Sequence, residues 1–283
     1  MPFNTLVDTD TLARHLDDPS WVVFDCRHDL ARPDWGAAEY AKSHIPGARF
    51  LHLDRDLSAP MTGKNGRHPL PDPQVLAAKL SAAGVGPATQ VVVYDAQREV
   101  YAARAWWSLR WLGHDAVAVL DGGWGKWLKE DRPETEAVPA PTPAKFAARV
   151  RPLAVDAAFV LAHLRDPAVK VIDARGNDRY RGENETLDPV AGHIPGSVNR
   201  VIKENLDAAG RFKPAAQLRA EWEALLAGLA PGQVVHSCGS GVAACHNLLA
   251  MELAGLGGSR LYGGSWSEWV ADPSRPVATG PTP

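Results

Sequence analysis

Cysteine is scarce in this chain, and the three that occur, Cys26, Cys238 and Cys245, lie at irregular spacing. Proteins that depend on disulfides carry larger, even numbers of cysteines, so a disulfide framework is excluded. The segment 1–10 carries two aspartates and has neither the basic start nor the apolar stretch of a signal peptide. We therefore expect a reducing, cytoplasmic location.

Long apolar runs and an excess of one charge are also missing. No uninterrupted apolar run reaches the roughly 18 residues that a membrane-spanning helix requires. Lysine and arginine total 30 and aspartate and glutamate 33, so no basic excess favours binding to nucleic acid, and no acidic tail suggests a partner. We expect no nucleic-acid partner and no membrane partner.

What the chain does contain is a repeat. Motifs recur in the same order in its two halves, at separations of 148, 149 and 141 residues: Asp25-Cys26-Arg27 with Asp173-Ala174-Arg175, His44-Ile45-Pro46-Gly47 with His193-Ile194-Pro195-Gly196, and Gly122-Gly123 with Gly263-Gly264. A nearly constant offset indicates a duplicated domain. Because the histidines and the aspartate–arginine pairs occur in both halves, we predict that they fix turns and strand ends and take no part in the chemistry.

Each half alternates β-branched runs, such as Val91–Tyr94, with helical patterns. One helical pattern begins at Asp72-Pro73 and places Val75, Leu76 and Leu80 on a single predicted apolar face. Strands that alternate with helices indicate a parallel sheet with helices on both faces. The sequence therefore predicts an α/β protein with one such sheet in each half.

The boundary between the two halves is predicted from a cluster of prolines. Three prolines fall within five residues at Pro139, Pro141 and Pro143, a density that favours an extended connector. We therefore predict an N-terminal domain at residues 1–133, a linker at 134–151 and a C-terminal domain at 152–283.

The most informative segment is the six-residue loop 238–243, with the sequence Cys-Gly-Ser-Gly-Val-Ala. It follows the strand-like pair Val234-Val235 and precedes the helical stretch Ala244–Leu256, so it places a cysteine in a glycine-rich turn at the start of a helix. Unpaired backbone N–H groups and the positive end of a helix dipole stabilise an anion there and lower the pKa of a thiol. Cys238 is therefore predicted to be a nucleophile at the carboxyl end of a strand.

Two other chemistries use a cysteine in such a place. A cysteine-based phosphatase needs an arginine six residues further on to hold the oxyanion, and the residue at that position is Ala244. A metal site formed by His236, Cys238, Cys245 and His246 does not match the usual spacing of zinc ligands. We expect Cys245 to pack in the core about two turns into the helix, His246 to be capped or exposed, and no metal or organic cofactor to be needed.

These motifs together resemble the tandem-domain rhodaneses over nearly the whole chain. The loop is similar to that of the 3-mercaptopyruvate sulfurtransferases, except that Ala243 stands where threonine is usual. The first half continues after its strand with Asp95-Ala96-Gln97 and has no cysteine there. The resemblance therefore implies two rhodanese-like domains, of which only the C-terminal one is catalytic.

The resemblance also implies roles for individual residues. Arg179 occupies the place of an arginine that binds the sulfur donor, but the segment 183–188 lacks the second arginine that is common in the family. The catalytic set expected from the family is Cys238, Ser240, His68 and Asp54, with the last three passing a proton. The expected cradle for the reacting sulfur consists of the backbone amides of Gly239, Ser240, Gly241, Val242, Ala243 and Ala244.

The implied activity is transfer of sulfur from 3-mercaptopyruvate or thiosulfate, through a persulfide on Cys238, to cyanide or to a thiol carried by a small molecule or a thioredoxin-like protein. Two alternatives stay open. One is an enzyme that prefers thiosulfate, and the other is a sulfur-carrying binding module with low turnover.

Overall fold

The computed structural model describes residues 2–282, which form two compact units. The first contains the residues up to Ala59 together with Pro71–Arg151, and the second contains Pro60–Leu70 together with the residues from Pro152 onward. The segment 60–70 thus belongs to the second unit although it lies in the first half of the chain, which the sequence does not indicate. The division at residues 133 and 152 stays a prediction.

The first unit contains a five-stranded parallel sheet in the order β1-β5-β4-β2-β3. Its strands are β1 (Leu6–Val7), β2 (Trp21–Asp25), β3 (Arg49–Phe50), β4 (Gln90–Tyr94) and β5 (Val117–Leu120). Its helices are α1 (Thr9–Arg14), α2 (Trp35–Lys42), α3 (Pro73–Ala82), α4 (Val100–Trp111) and α5 (Gly123–Lys129).

The second unit repeats this topology with the order β6-β10-β9-β7-β8. Its strands are β6 (Ala154–Val155), β7 (Lys170–Asp173), β8 (Val198–Asn199), β9 (Val234–Ser237) and β10 (Arg260–Tyr262). Its helices are α6 (Ala157–Ala162), α7 (Asn177–Arg181), α8 (Ala215–Leu226), α9 (Ala244–Leu253) and α10 (Ser265–Trp269). The predicted fold class, two parallel sheets flanked by helices, is confirmed.

Helix α3 shows how local signals set an element. The side chain of Asp72 accepts hydrogen bonds from the N–H groups of Gln74 and Val75, and Pro73 takes the first helical position, where its missing N–H costs nothing. Leu76 and Leu80 are buried as predicted, but Val75 is 67% exposed. The placement of Val75 on the apolar face was wrong because adjacent helical residues point about 100° apart.

The motifs shared by the halves form matching structures. Arg27 pairs with Asp25 at 2.6 Å and lies over the Trp124 ring, and Arg175 pairs with Asp173 at 2.8 Å and lies over the Trp266 ring. Each arginine thus fixes the end of a central strand, as predicted.

The histidines of the two His-Ile-Pro-Gly motifs have equivalent contacts. His44 Nδ1 lies 2.7 Å from the Tyr40 carbonyl oxygen, and His193 Nδ1 lies 2.8 Å from that of Tyr180. Both histidine rings are buried, and each stacks on the ring of the tyrosine whose carbonyl oxygen it contacts, Tyr40 for His44 and Tyr180 for His193. These bonds are consistent with the predicted role of the histidines in holding the turn.

The proline-rich segment is bonded to the first unit along its length. Residues 136–150 contain neither helix nor strand, yet Ala144 N–H donates to the Ser81 carbonyl and Arg149 N–H to that of Leu112, both at 2.8 Å. None of the helices within residues 2–282 is long and apolar enough to span a bilayer.

The loop after β4 is the counterpart, in the first unit, of the cysteine loop in the second. Asp95 directly follows β4, as Cys238 directly follows β9. The Asp95 carboxylate is fully buried and accepts four hydrogen bonds of 2.7–3.0 Å, from the N–H groups of Gln97, Glu99, Tyr101 and Ala102. Burial raises the pKa of Asp95, and these amide bonds oppose the rise. A turn at this place in the fold therefore binds an anion through backbone amides.

Candidate active site

Cys238 lies in the turn between β9 and α9 and is 2% exposed. Its N–H donates to Ser265 Oγ at 3.1 Å, and its carbonyl oxygen accepts from Trp266 N–H at 3.0 Å. Ser265 Oγ in turn donates to the Tyr262 carbonyl at 2.8 Å. The start of α10 thus holds the backbone of Cys238 in place.

The amides that follow Cys238 differ from their counterparts in the first unit. Within residues 2–282, the N–H groups of Gly239, Ser240, Val242 and Ala243 have no hydrogen-bond acceptor. All but Ala243 belong to buried residues. Because a buried N–H without an acceptor is costly, and because such groups precede a helix of ten residues, this turn favours an anion beside Cys238.

Two glycines make room for this turn. Gly241 has φ +74°, and a Cβ built on it would lie 2.2 Å from the carbonyl oxygen of Gly263. A Cβ on Gly239 would lie 2.8 Å from Arg67 Nη2. No other residue type fits at 241 without moving backbone.

Cys245 and His246 lie in the first turn of α9, not two turns into it as expected, because the helix begins at Ala244. Cys245 packs in the core as expected, and its Sγ donates to the Gly241 carbonyl at 3.4 Å. Of the two alternatives predicted for His246, exposure was wrong, but its ring does have a partner, since Nδ1 lies 3.2 Å from Asn205 Nδ2. Its ring is fully buried and stacks on Phe212, with centroids 4.4 Å apart.

His68 and Ser240, distant in sequence, are brought together within the second unit. His68 Nδ1 lies 2.7 Å from Ser240 Oγ, and both side chains are nearly buried. Arg67 N–H donates to Ser267 Oγ at 3.0 Å, and a Cβ on Gly66 would lie 2.8 Å from the Gly264 carbonyl oxygen. These contacts anchor the loop 60–70 beside the cysteine turn.

Asp54 belongs to the first unit, where its contacts are with two histidines. Its Oδ2 lies 4.0 Å from both His28 Nε2 and His52 Nδ1. These three side chains form a group that is able to hold a metal ion, although the Asp54 N–H already donates to His52 Nδ1. The ligand spacing that disfavours a metal site near Cys238 has no bearing on His28, His52 and Asp54.

Arg179, on α7, is held by two carboxylates. It donates to both oxygens of Glu185 at 2.9–3.2 Å and to Asp188 Oδ2 at 3.2 Å. Burial disfavours the ionised form of Glu185, but the hydrogen bonds and charge of Arg179 outweigh it and lower the pKa of Glu185. Both terminal nitrogens of Arg179 lie 3.6 Å from the position of a Gly239 Cβ, so the guanidinium borders the cysteine turn.

Arg67 is not among the site residues predicted from the sequence. Its Nη1 forms an ion pair with Asp188, whose side chain is 3% exposed. Burial raises the pKa of Asp188, and the charge of Arg67 opposes the rise. Arg67 could have been found from the sequence, because it directly precedes His68, which the family resemblance names as a catalytic residue.

Comparison with known proteins agrees with the repeat. The model of the rhodanese-like domain matches residues 8–130 and again residues 156–272. A probable 3-mercaptopyruvate sulfurtransferase of Pseudomonas aeruginosa is 49% identical over 278 residues, covering 97% of this chain and 98% of the relative. The thiosulfate sulfurtransferase of Bos taurus is 36% identical over 86% of this chain and 83% of its own.

A solved structure is similar in fold and in sequence. The crystal structure of SseA from Escherichia coli, a 3-mercaptopyruvate sulfotransferase of rhodanese fold, superposes with a TM-score of 0.81 at 32% identity, covering 93% of this chain and 99% of that one. The chain belongs to the rhodanese family of sulfurtransferases.

The packing of Gly241 yields a test. We expect Gly241→Ala to lower the midpoint of thermal unfolding and to abolish activity, because the new Cβ overlaps a backbone oxygen at a positive φ. The loss of stability should be about 2 kcal/mol or more. Gly232→Ala is the matched control, since nothing lies within 4 Å of its Cβ position. Equal stability and activity of the two variants would contradict the geometry of this turn.

Proposed function

We propose that this rhodanese transfers sulfur from 3-mercaptopyruvate to a thiol acceptor through a persulfide on Cys238. One observation carries the proposal. Cys238 lies at the start of a turn in which the buried N–H groups of Gly239, Ser240 and Val242 have no acceptor within residues 2–282, while the equivalent turn of the first unit already encloses the Asp95 carboxylate. The turn of the second unit therefore offers both a sulfur nucleophile and a site for the negative charge of a persulfide.

The first half of the reaction loads the enzyme. The Cys238 thiolate attacks the sulfur of 3-mercaptopyruvate, an S–S bond forms and the C–S bond breaks. The electron pair of the C–S bond moves to carbon as the enolate of pyruvate, which takes up one proton. The sulfur remains on Cys238 as the persulfide, and pyruvate leaves.

We assign this proton transfer to Ser240 and His68. Their 2.7 Å contact provides a path for a proton, and histidine titrates near neutral pH. Asp54 is the proposed further partner in the relay, on the basis of the family resemblance alone.

In the second half, an acceptor thiolate attacks the outer sulfur of the persulfide and Cys238 leaves as the thiolate. Loading and unloading are separate steps, so the kinetics should be ping-pong. A small thiol and a thioredoxin-like protein are both proposed acceptors. A reducing, cytoplasmic setting fits, because the described part of the chain has no disulfide and oxidation of Cys238 would block transfer.

The choice of donor rests on the relatives and on charge. Proteins named for 3-mercaptopyruvate and for thiosulfate are both similar to this chain. Both donors carry an anionic group that an arginine fork binds, and Arg179 borders the turn. We favour 3-mercaptopyruvate because the His68–Ser240 contact supplies a proton that its carbon leaving group needs and that sulfite does not.

Loading of Cys238 is tested directly by mass spectrometry. After treatment with 3-mercaptopyruvate, the intact protein should gain the mass of one sulfur atom, and peptide analysis should place it on Cys238. Cys238→Ser should gain no sulfur and should lose turnover. Cys26→Ala is the control, because Cys26 is a buried residue of the first unit, and it should load normally. Sulfur transfer at the wild-type rate by Cys238→Ser would contradict the proposal.

The role of His68 predicts a difference between donors. His68→Gln should lower the rate of loading by 3-mercaptopyruvate about a hundredfold, because the leaving carbon needs a proton. The same variant should change the rate of loading by thiosulfate severalfold at most, because sulfite leaves as an anion. The measurement is the rate of single-turnover loading with each donor. An equal fall with both donors would mean that His68 acts on the fold of the turn and not on proton transfer.

A further inference from the structure

The first unit has a pocket beside its edge strand β3, which we call the β3 pocket. It is formed by β3, the last turn of α3 and three residues of the proline-rich segment, Val138, Pro139 and Pro141, and its volume is about 340 Å³. Its lining is mainly apolar, with the side chains of Phe50 and Leu51 on one side. Pockets of roughly 300–1,000 Å³ with an apolar lining and a few polar groups are typical of sites for small organic ligands.

A second pocket, of about 300 Å³, shares Arg49, Pro139 and Pro141 with the β3 pocket. Its lining is more polar and includes Asp17 and Asp18, neither of which forms an ion pair with Arg49 in the described part of the chain. Arg49 therefore lies where an apolar pocket meets a polar one.

The guanidinium of Arg49 has few partners of its own. Among residues 2–282, it forms one hydrogen bond, from Nη1 to the Gly47 carbonyl oxygen at 3.3 Å, and its buried Nε has no acceptor. Burial lowers the pKa of Arg49, and within the same residues the opposing effect comes from the Tyr40 phenol and from no carboxylate. Because arginine stays charged even so, and because a half-buried charge without a counter-ion is costly, this side chain favours an anion from outside.

The repeat shows that the fold does not require these features. At the 149-residue offset of the His-Ile-Pro-Gly motifs, Val198 takes the place of Arg49 and Asn199 that of Phe50, and each pair forms an edge strand, β3 or β8. The pocket beside β8 has a mostly polar lining that includes Asn199. An apolar pocket with an unpaired cation is thus particular to the first unit.

The proline-rich segment that borders the β3 pocket is fixed at both ends. Thr135 and His44 exchange two backbone hydrogen bonds of 2.9 Å, and Ala144 N–H donates to the Ser81 carbonyl at 2.8 Å. The three prolines between these points each have a φ fixed by their ring. The pocket is therefore formed before a ligand arrives, which limits the entropy lost on binding.

We propose that the β3 pocket binds a small monocarboxylate with an apolar chain, of the kind found in medium-chain fatty acids. The chain lies against Phe50, and the carboxylate pairs with the guanidinium of Arg49, whose fork matches it. Lys79, the other cation of the lining, is already paired with Asp56, so the pocket offers one positive charge and suits a single negative one. This site is separate from the cysteine turn and does not depend on the proposed sulfur transfer.

The test is isothermal titration calorimetry of the full-length protein with octanoate. We expect saturable binding of one molecule per chain. Binding should tighten about threefold for each methylene added from butyrate through hexanoate to octanoate, because each one is buried against an apolar lining. 1-Octanol has a chain of the same length and no charge, and it should bind at least tenfold more weakly than octanoate, because it does not pair with Arg49.

Three variants locate the site. Arg49→Gln should weaken binding of octanoate at least tenfold and leave binding of 1-octanol unchanged, whereas Phe50→Asn, which introduces the residue type of the second unit, should weaken both. Arg55→Gln is the matched control, since it removes an exposed arginine of the first unit that pairs with Asp34, and it should bind as wild type does. Without ligand, Arg49→Gln should unfold at no lower temperature than the wild-type protein, because the cation that it removes has no carboxylate partner.

Several results would overturn the proposal. They are the absence of saturable binding of octanoate, equal affinity of the wild-type protein and Arg49→Gln for octanoate, and equal affinity of the wild-type protein for octanoate and 1-octanol. Loss of octanoate binding in Arg179→Gln would place the ligand at the cysteine turn and would also overturn it. Loading of Cys238 tests the proposed function separately, because none of these results changes its expected outcome.

Discussion

A buried backbone N–H needs an acceptor, and the two halves of this chain meet that need differently. The first unit supplies the acceptor itself, because the Asp95 carboxylate accepts hydrogen bonds from four backbone N–H groups of the turn after β4. The second unit has Cys238 at that position, and within residues 2–282 the N–H groups of Gly239, Ser240, Val242 and Ala243 have no acceptor. Duplication has thus produced one turn closed by its own carboxylate and one turn open to a reacting sulfur. In the proposed function, this difference gives the first half a structural role and the second half the catalytic one.

Charge around the open turn is balanced in pairs. Arg175 lies between Asp173 and Glu185, and Arg67 and Arg179 share Asp188. Buried charges are tolerated only when they are paired, so each arginine that faces the turn has a carboxylate behind it. Glu185 and Asp188 therefore border the candidate site, where they pair with the guanidiniums of Arg67, Arg175 and Arg179.

Local sequence patterns predict the repeat, the cysteine turn and several of the strands and helices. The duplicated motifs, the cysteine turn and the strands predicted at Val91–Tyr94 and Val234-Val235 depend on neighbours in sequence, and the structure has these two strands at Gln90–Tyr94 and Val234–Ser237. The two-residue strands β1, β3, β6 and β8 are not among the predictions. The contacts of Arg67 with Asp188 and Gly239, and the burial of His246, depend on which segments pack together over long sequence separations. No periodicity encodes those contacts, nor the assignment of residues 60–70 to the second unit. The family resemblance identifies His68 but not the arginine beside it.

In the proposed function, the turn at Cys238, with Arg179 beside it, binds the donor by its anionic end and presents the donor sulfur to position 238. A crystal structure of the Cys238→Ser variant soaked with 3-mercaptopyruvate tests this most directly. We expect the donor carboxylate at hydrogen-bond distance from Arg179, with the donor sulfur next to the hydroxyl that replaces the thiol at position 238. A donor whose carboxylate does not contact Arg179, or whose sulfur points away from position 238, would contradict this proposal.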